Sequence, residues 1–202
     1  MKHILICLGL LAGFFGIAHS IQTPEEVKKS EQIMLKMKQL DLLNQMIPLA
    51  LTKEQIGKLL PSVERARAKV KQTQKEELNV LLKLESKLTD AIKTSTEKQI
   101  APPKALIDEV SDETFKLAQK RGAIITENVD SVFKVFNDTL NAGQKKAAAN
   151  SLAIAYFIPD ADPKKMTDAE KIRVFIQEIF LDPQAYDVLL QLEKFAPSGG
   201  SK

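Results

Sequence analysis

The side chains that most often perform chemistry in proteins are almost confined to the first twenty residues of this chain. The 202 residues include two histidines and one cysteine, and these are His3, His19 and Cys7. The rest of the chain therefore offers no imidazole or thiolate for nucleophilic catalysis or for a zinc or copper site. Carboxylate, lysine or tyrosine catalysis stays formally open, but no residue spacing points to it. We expect no catalytic residue, no metal site and no cofactor, and we predict that the protein is not an enzyme.

Glycines and metal-binding side chains are equally scarce in the body of the chain. Between the first twenty residues and the last few, the only glycines are Gly57, Gly122 and Gly143, so the sequence has no glycine-rich loop for a phosphate. Met34 and Met37 lie three residues apart, as ligands of a soft metal can. Because no histidine or cysteine is near them, we interpret both methionines as core-packing residues.

The first twenty residues are typical of a secretory signal peptide. Lys2 precedes an uncharged, mostly apolar segment, residues 4–18, which is shorter than the roughly 20 residues that a membrane-spanning helix needs. Ala18 and Ser20 provide small residues at positions −3 and −1 of a cleavage site. Cleavage after Ser20 predicts a periplasmic or secreted protein. An uncleaved N-terminal anchor is the alternative.

Composition favours helices and gives no sign of a nucleic-acid partner. The 29 basic and 26 acidic residues leave a net charge of +3, which is too balanced to indicate binding to nucleic acid. Alanine, leucine, lysine, glutamate and glutamine are abundant, and all are strong helix formers. Since no run of alternating apolar and polar residues is bounded by turns, we predict no sheet.

Helix-capping patterns divide the chain into six predicted helices. An N-cap residue followed three positions later by Glu or Gln occurs at Thr23, Thr52, Asn141 and Thr167. Asp182 adds a cap before a first-turn proline. The predicted helices span residues 24–47, 53–92, 104–139, 142–156, 168–180 and 183–195.

The second and third predicted helices are long, and a short connection joins them. A 35-residue helix extends about 50 Å, so the pair predicts an antiparallel hairpin. Pro61 predicts a kink or a short break in the second helix. The first predicted helix has an apolar stripe that we expect to face a core, and its members are Val27, Ile33, Met34, Met37, Leu40, Leu43 and Ile47.

One stretch of the second predicted helix is rich in cations and poor in apolar residues. Arg65 and Lys69 are four residues apart, as are Arg67 and Lys71. We expect these cations to occupy neighbouring strips of the helix surface. The stretch is interpreted either as a solvated helix face or as a basic strip that attracts acidic partners.

Two five-residue motifs carry a resemblance to a known family. The first is Leu51-Thr52-Lys53-Glu54-Gln55, and the second is Leu140-Asn141-Ala142-Gly143-Gln144. Together they resemble the doubled LTxxQ motif of the Spy/CpxP family of bacterial periplasmic proteins, with Asn141 in place of a threonine. The resemblance covers residues 46–155. The residues that match the motif are Leu51, Thr52, Gln55, Leu140, Asn141 and Gln144.

The resemblance implies an all-α fold, with an elongated antiparallel helical hairpin, a Spy-like cradle, flanked by short helices. The two last predicted helices extend beyond the usual end of that family. We therefore expect a signal peptide over residues 1–20, a Spy-like helical domain over 21–157, a C-terminal helical extension over 158–195 and a disordered tail over 196–202.

The resemblance also implies an ATP-independent chaperone that binds unfolded or envelope proteins through a basic, partly apolar surface. The candidate client contacts are Arg65, Arg67, Lys69 and Lys71, and a homodimer is an open expectation. One alternative is a regulatory protein that binds the periplasmic domain of a membrane stress sensor through residues 158–195. Another is a structural or interaction protein of the envelope. The family's metal-binding branches use ligands that are absent from residues 21–202 here, so metal binding is not carried over.

Overall fold

The structure is a computed structural model, and it describes residues 23–198. The predicted signal peptide lies outside the described residues. Within them the fold is all-helical and contains no strand, which confirms the predicted fold class. The six α-helices of the described residues, named α1 to α6 in chain order, are Pro24–Met46, Lys53–Lys98, Lys104–Thr139, Ala142–Ser151, Asp168–Phe175 and Ala185–Phe195.

The helices divide into two compact units. Unit 1 comprises the described residues up to Glu64 together with those from Val129 onward, and unit 2 comprises Arg65–Asn128. The chain is thus divided differently from the prediction, which placed a boundary between residues 157 and 158. Residues beyond that point supply much of the core of unit 1, and the buried ones are Ile172, Phe175, Ile176, Ile179, Phe180, Ala185, Val188 and Leu189.

Three phenylalanines form the centre of unit 1. Phe136 from α3, Phe175 from α5 and Phe180 from the π-helical turn Ile176–Phe180 are each 0% exposed. Their ring centroids are 5.5 to 6.3 Å apart, and Phe136 meets Phe180 edge to face. Rings at such distances attract one another beyond the gain from burial alone. The cluster joins α3 to the predicted C-terminal extension, which is therefore an integral part of unit 1.

Most of the apolar stripe that we predicted to be buried in the first helix is exposed, and only Val27 and Leu43 of its members are half-buried. Ile33, Met37 and Leu40 are 51%, 65% and 68% exposed, and Met34 is 45% exposed, so the core-packing interpretation of the two methionines is wrong. The buried side chains of α1 are Leu42 and Met46, and they lie on the opposite side of the helix. Helical spacing identified an amphipathic pattern but selected the wrong face.

Pro61 does not interrupt α2, because the helix is continuous from Lys53 to Lys98. The predicted break is therefore absent. Pro61 itself is exposed, whereas Leu59, Leu60 and Val63 around it are buried in unit 1. Because proline has no N–H, the hydrogen bond to the Gly57 carbonyl, four residues earlier, is lost, and packing of these neighbours offsets that loss.

The ends of the later helices differ from the prediction. The fourth helix ends at Ser151 instead of residue 156, and a separate 3₁₀ turn, Ile154–Tyr156, follows it. The sixth helix starts at Ala185 because the Asp182 carboxylate accepts from the Gln184 amide at 2.8 Å and holds a turn there. The predicted disordered tail begins in an ordered contact, since the Pro197 carbonyl accepts from the Lys53 amide at 3.1 Å.

Unit 2 is an antiparallel pair formed by parts of α2 and α3, as the prediction of a hairpin requires. Four ion pairs between described residues join the helices. Three of them are Lys69 with Glu127, Glu76 with Lys120, and Lys87 with Glu109 at 2.7 Å, and the fourth is Glu77 with Arg121. In the first three pairs the two residue numbers add up to the same total, so one register of α2 against α3 holds from Lys69 to Lys87.

The interior of unit 2 contains several polar side chains. Glu77 is 6% exposed and accepts two hydrogen bonds from the Arg121 guanidinium, at 2.6 and 2.8 Å. Asn128 is also buried, and its Nδ2 donates to the Ala66 carbonyl at 3.3 Å. Because each of these groups has a partner, burial costs little net free energy. Since the polar interior limits apolar burial, much of the apolar surface of unit 2 stays exposed.

A half-buried carboxyl in unit 1 leads to a pH-dependent prediction. Burial raises the pKa of Glu178 from its usual 4.5, although a hydrogen bond from Gln177 and the charge of Lys38 act in the opposite direction. The folded state therefore holds this proton more tightly than the unfolded state. By linkage, stability falls as pH rises from about 4.5 through the raised pKa of Glu178. Glu178→Gln should stabilise the protein more at pH 7 than at pH 4, as measured by urea unfolding.

The control for this prediction is Glu31→Gln, because Glu31 is exposed on α1. It should change the midpoint of urea unfolding similarly at both pH values. An equal effect of Glu178→Gln at pH 4 and pH 7 would contradict the assigned role of burial.

Candidate functional site

The two LTxxQ-like motifs meet in unit 1. In the first motif, the backbone N–H of Gln55 donates to Thr52 Oγ1 at 3.2 Å, and the backbone N–H of Thr52 donates to the side-chain oxygen Oε1 of Gln55 at 3.0 Å. In the second, Asn141 and Gln144 exchange the same two bonds, each at 3.0 Å. Both are capping boxes, so each satisfies two of the free amides near the start of its helix. The predicted caps of α2 and α4 are confirmed.

The two glutamine side chains also bind each other. Gln55 Nε2 donates to Gln144 Oε1, and Gln144 Nε2 donates to Gln55 Oε1, both at 2.9 Å. The remaining hydrogens reach backbone carbonyls, with Gln55 donating to Thr139 at 3.2 Å and Gln144 to Leu49 at 3.0 Å. We call this arrangement the glutamine pair. It connects the starts of α2 and α4 and leaves neither amide unsatisfied.

The other two capping boxes show why these positions are glutamines. In α1 and α5 the third residue is a glutamate, Glu26 or Glu170, and it is exposed. Hydrogen bonds from the N-cap threonine lower the pKa of each carboxyl. A carboxylate can cap but cannot donate, whereas the glutamine pair needs both functions. Leu51 and Leu140, the first residues of the motifs, are 6% and 5% exposed. All six motif residues therefore have structural roles.

The four candidate client contacts do not form one basic strip. Residues two apart on a helix point about 160° away from each other, so the strip of Arg65 and Lys69 faces away from that of Arg67 and Lys71. The expectation of neighbouring strips was wrong for this geometric reason. Lys69 is ion-paired with Glu127, and Arg67 also has a partner. Arg65 and Lys71 are exposed and form no ion pair with the residues that the structure describes.

The side of unit 2 opposite Lys69, Glu76 and Lys87 is largely apolar, and Arg121, which is bonded to Glu77, lies at its inner margin. On α2, Val70, Leu81 and Ile92 are 40%, 50% and 66% exposed. Successive members of this row are 11 residues apart. Eleven residues make three helical turns plus about 20°, so the three side chains point in nearly the same direction. They lie roughly 110° to 150° around the helix from the ion-paired Lys69 and Glu76. The inward-facing residues lie between these two rows.

On α3 a second row faces the same side and has the same period. Ile107 and Ala118 are 11 residues apart, and so are Thr114 and Ile125. Ile107 is 50% exposed, and the others are exposed or half-buried. We call the two rows together the lateral stripe, and its members are Val70, Leu81, Ile92, Ile107, Thr114, Ala118 and Ile125. None of them is charged.

Sequence analysis missed the lateral stripe. It selected the basic residues of α2 because they are conspicuous in composition, and it read apolar positions only as core. The 11-residue spacing of Val70, Leu81 and Ile92 was the available signal. Spacing alone could not show that the opposite side of the pair is occupied by ion pairs, because their partners are more than 20 residues away in sequence.

Unit 1 also has a shallow depression on its surface. Phe133, Lys145, Lys146, Asp168 and Ile172 are among its lining residues. Its charges are engaged, since Lys146 pairs with Asp168 at 3.1 Å. Among residues 23–198, no three acidic side chains come together as a group that could hold a metal ion.

Comparisons with known proteins give no assignment. No family model, no curated protein and no solved structure matches this chain. Within the described part of the chain, no helix combines the length and the apolar character needed to cross a membrane.

Proposed function

We propose that the protein binds other polypeptides through exposed helix surfaces, as an ATP-independent chaperone-like protein for unfolded or envelope proteins. The observation that carries this proposal is the number of large apolar side chains that both units leave 39% to 88% exposed. In unit 1 they are Ile33, Met34, Leu35, Met37, Leu40, Ile47, Tyr156, Ile158 and Phe195. In unit 2 they are Val70, Leu78, Leu81, Leu82, Ile92, Ile100, Ile107 and Phe115.

The physical basis is a combination of apolar contact and long-range attraction. Scattered apolar residues are ordinary on protein surfaces, but contiguous ones mark interaction sites. Ile33, Met37 and Leu40 on α1 and the lateral stripe on unit 2 are such contiguous sets. Exposed cations such as Arg65 and Lys71 attract acidic segments from a distance. Neither the apolar contact nor the charge attraction needs a nucleotide or a reactive side chain.

We expect the purified protein to suppress aggregation of an unfolding model protein at a stoichiometric ratio. Apolar side chains exposed in the client would be covered by those of α1 and unit 2 before they meet another client. Light scattering at 360 nm with and without the protein measures this result. An unchanged scattering curve at equimolar protein would overturn the proposed function.

A matched pair of variants separates the contribution of the candidate cations. Arg65→Glu with Lys71→Glu should weaken suppression at low salt, because it reverses the cations that attract acidic segments. Lys83→Glu with Lys93→Glu changes the net charge equally, on exposed residues outside that stretch. Equal loss in the two double variants would show that only net charge matters.

The regulatory alternative assigns the docking surface to residues 158–195. The large apolar side chains of this segment are buried or half-buried in unit 1, apart from the exposed Ile158 and Phe195. This burial favours the chaperone-like function. Capture from envelope extracts distinguishes the two functions, since one stoichiometric membrane partner supports regulation and many unfolded proteins support a chaperone.

A further inference from the structure

We infer that the lateral stripe of unit 2 is a docking groove for an amphipathic α-helix of a partner protein, which would lie alongside α2 and α3 as a third helix. This inference rests on the proposed function and specifies the conformation and chemistry of the bound segment. The partner helix has one continuous apolar face and acidic residues along the flank next to α2.

The period and length of the stripe fit a helix. In the register that Lys69, Glu76 and Lys87 set with their partners, Ile107 lies about 4.5 Å along the axis from the level of Ile92. Leu81 lies between Thr114 and Ala118, and Val70 lies nearly level with Ile125. From Val70 to Ile92 the stripe extends about 33 Å, the length of a 22-residue helix. A straight partner helix with apolar residues at every third or fourth position would contact the stripe residues at each of these positions along the helix pair.

The hydrogen-bonding groups of the stripe exclude an extended segment. Extended backbone brings an N–H and a C=O with each residue, and burial without partners is costly. The Thr114 hydroxyl already donates to the Val110 carbonyl at 2.7 Å, and Arg121 is bonded to Glu77. Gln74 and Ser111 add polar side chains at the margins, and the exposed Glu85 lies about 20° beyond Gln74 around α2. A helix satisfies its own backbone and needs no such partners.

Charge defines the orientation of the acidic flank. Lys71 and Lys75 are exposed on the outer edge of α2 beside the stripe, and they are four residues apart. Like charges at this spacing repel each other, and acidic residues on a docked helix would relieve the repulsion. The outer edge of α3 next to the stripe carries the uncharged Gln119 and Thr126 and, further along the helix, the exposed Asp108 and Asp112. An acidic flank of the partner helix would be repelled there, so it lies next to α2.

A fluorescein-labelled 22-residue peptide with leucines along one face and glutamates along one flank is the probe. Fluorescence anisotropy should show saturable binding to the full protein. A permuted peptide of the same composition without an apolar face, and a version with two central prolines, should bind at least tenfold more weakly. Equal binding of all three peptides would overturn the helix assignment.

Variants of the protein locate the groove. Leu81→Glu should weaken peptide binding at least tenfold, because it places a charge at the centre of the stripe. Asn79→Glu adds the same charge to an exposed position on the far side of α2 and should change binding less than twofold. Ile92→Glu provides a second stripe variant if Leu81→Glu alters the circular dichroism spectrum. No effect of either stripe variant overturns the inference.

Two further experimental outcomes would overturn the docking groove without overturning the proposed function. If aggregation suppression is present but the helical peptide does not bind, the docking groove is wrong and the chaperone-like function stands. If sedimentation shows a dimer that Leu81→Glu dissociates, a second copy occupies the stripe and the inference of a partner helix is overturned.

Discussion

Phe136→Ala should lower the free energy of unfolding by about 3–5 kcal/mol, the usual cost of removing a fully buried phenylalanine. Phe136 is 0% exposed and contacts the rings of Phe175 and Phe180 at 6.3 and 5.5 Å between centroids. Its loss leaves a cavity where α3, α5 and the π-helical turn meet. Urea unfolding followed by circular dichroism at 222 nm measures the change.

The control is Phe195→Ala, which removes the same group from a side chain that is 88% exposed. Since little surface is buried there, its free energy of unfolding should change by less than about 0.5 kcal/mol. A similar cost for the two substitutions would mean that the aromatic cluster is not the core of unit 1.

Converting the glutamine pair to glutamates should destabilise the protein in a strongly non-additive way. Gln55→Glu or Gln144→Glu keeps the capping acceptor but loses the donated bonds, so each should cost about 1–3 kcal/mol. The double variant places two carboxylates where the amides were 2.9 Å apart. At pH 7 its cost should exceed the sum of the single costs, because like charges at this distance cannot both ionise without penalty.

Acid should reduce the coupling between the two substitutions. At pH 4 one carboxyl of the double variant can hold a proton and donate it to the other, so the excess cost should shrink. The control is Glu170→Gln, in the exposed capping box of α5, where only an acceptor is needed. Its effect on the free energy of unfolding should be much smaller than that of Gln55→Glu or Gln144→Glu. Additive costs at both pH values would contradict the reciprocal hydrogen bonds.

Local capping chemistry was the part of the fold that sequence predicted best. Thr23, Thr52, Asn141 and Thr167 all form the predicted capping boxes. These signals work because a cap involves residues only three apart, and its hydrogen bonds do not depend on the rest of the fold. The same locality explains why the all-helical class was correctly predicted.

Predictions that depended on distant contacts were less successful. Ile33 and Met37 have the spacing of a core stripe, but whether that face is covered depends on residues more than 100 positions away. A kink or a short break at Pro61 was predicted from local strain, whereas the helix has no break and Leu59 and Val63 beside the proline are buried. The pairing of Gln55 with Gln144 spans 89 residues. Its sequence signal is the choice of glutamine over the glutamate found in the other two boxes.

Unit 1 is assembled from two stretches of chain that lie on either side of residues 65–128. During synthesis, Leu42, Met46 and Leu59 emerge long before Phe175, Phe180 and Leu189, with which they share a core. The apolar side chains of the first stretch therefore stay uncovered until the later residues of unit 1 leave the ribosome. Truncation within α6 should consequently abolish folding of the N-terminal stretch as well, so nascent chains of this protein are candidates for protection by chaperones.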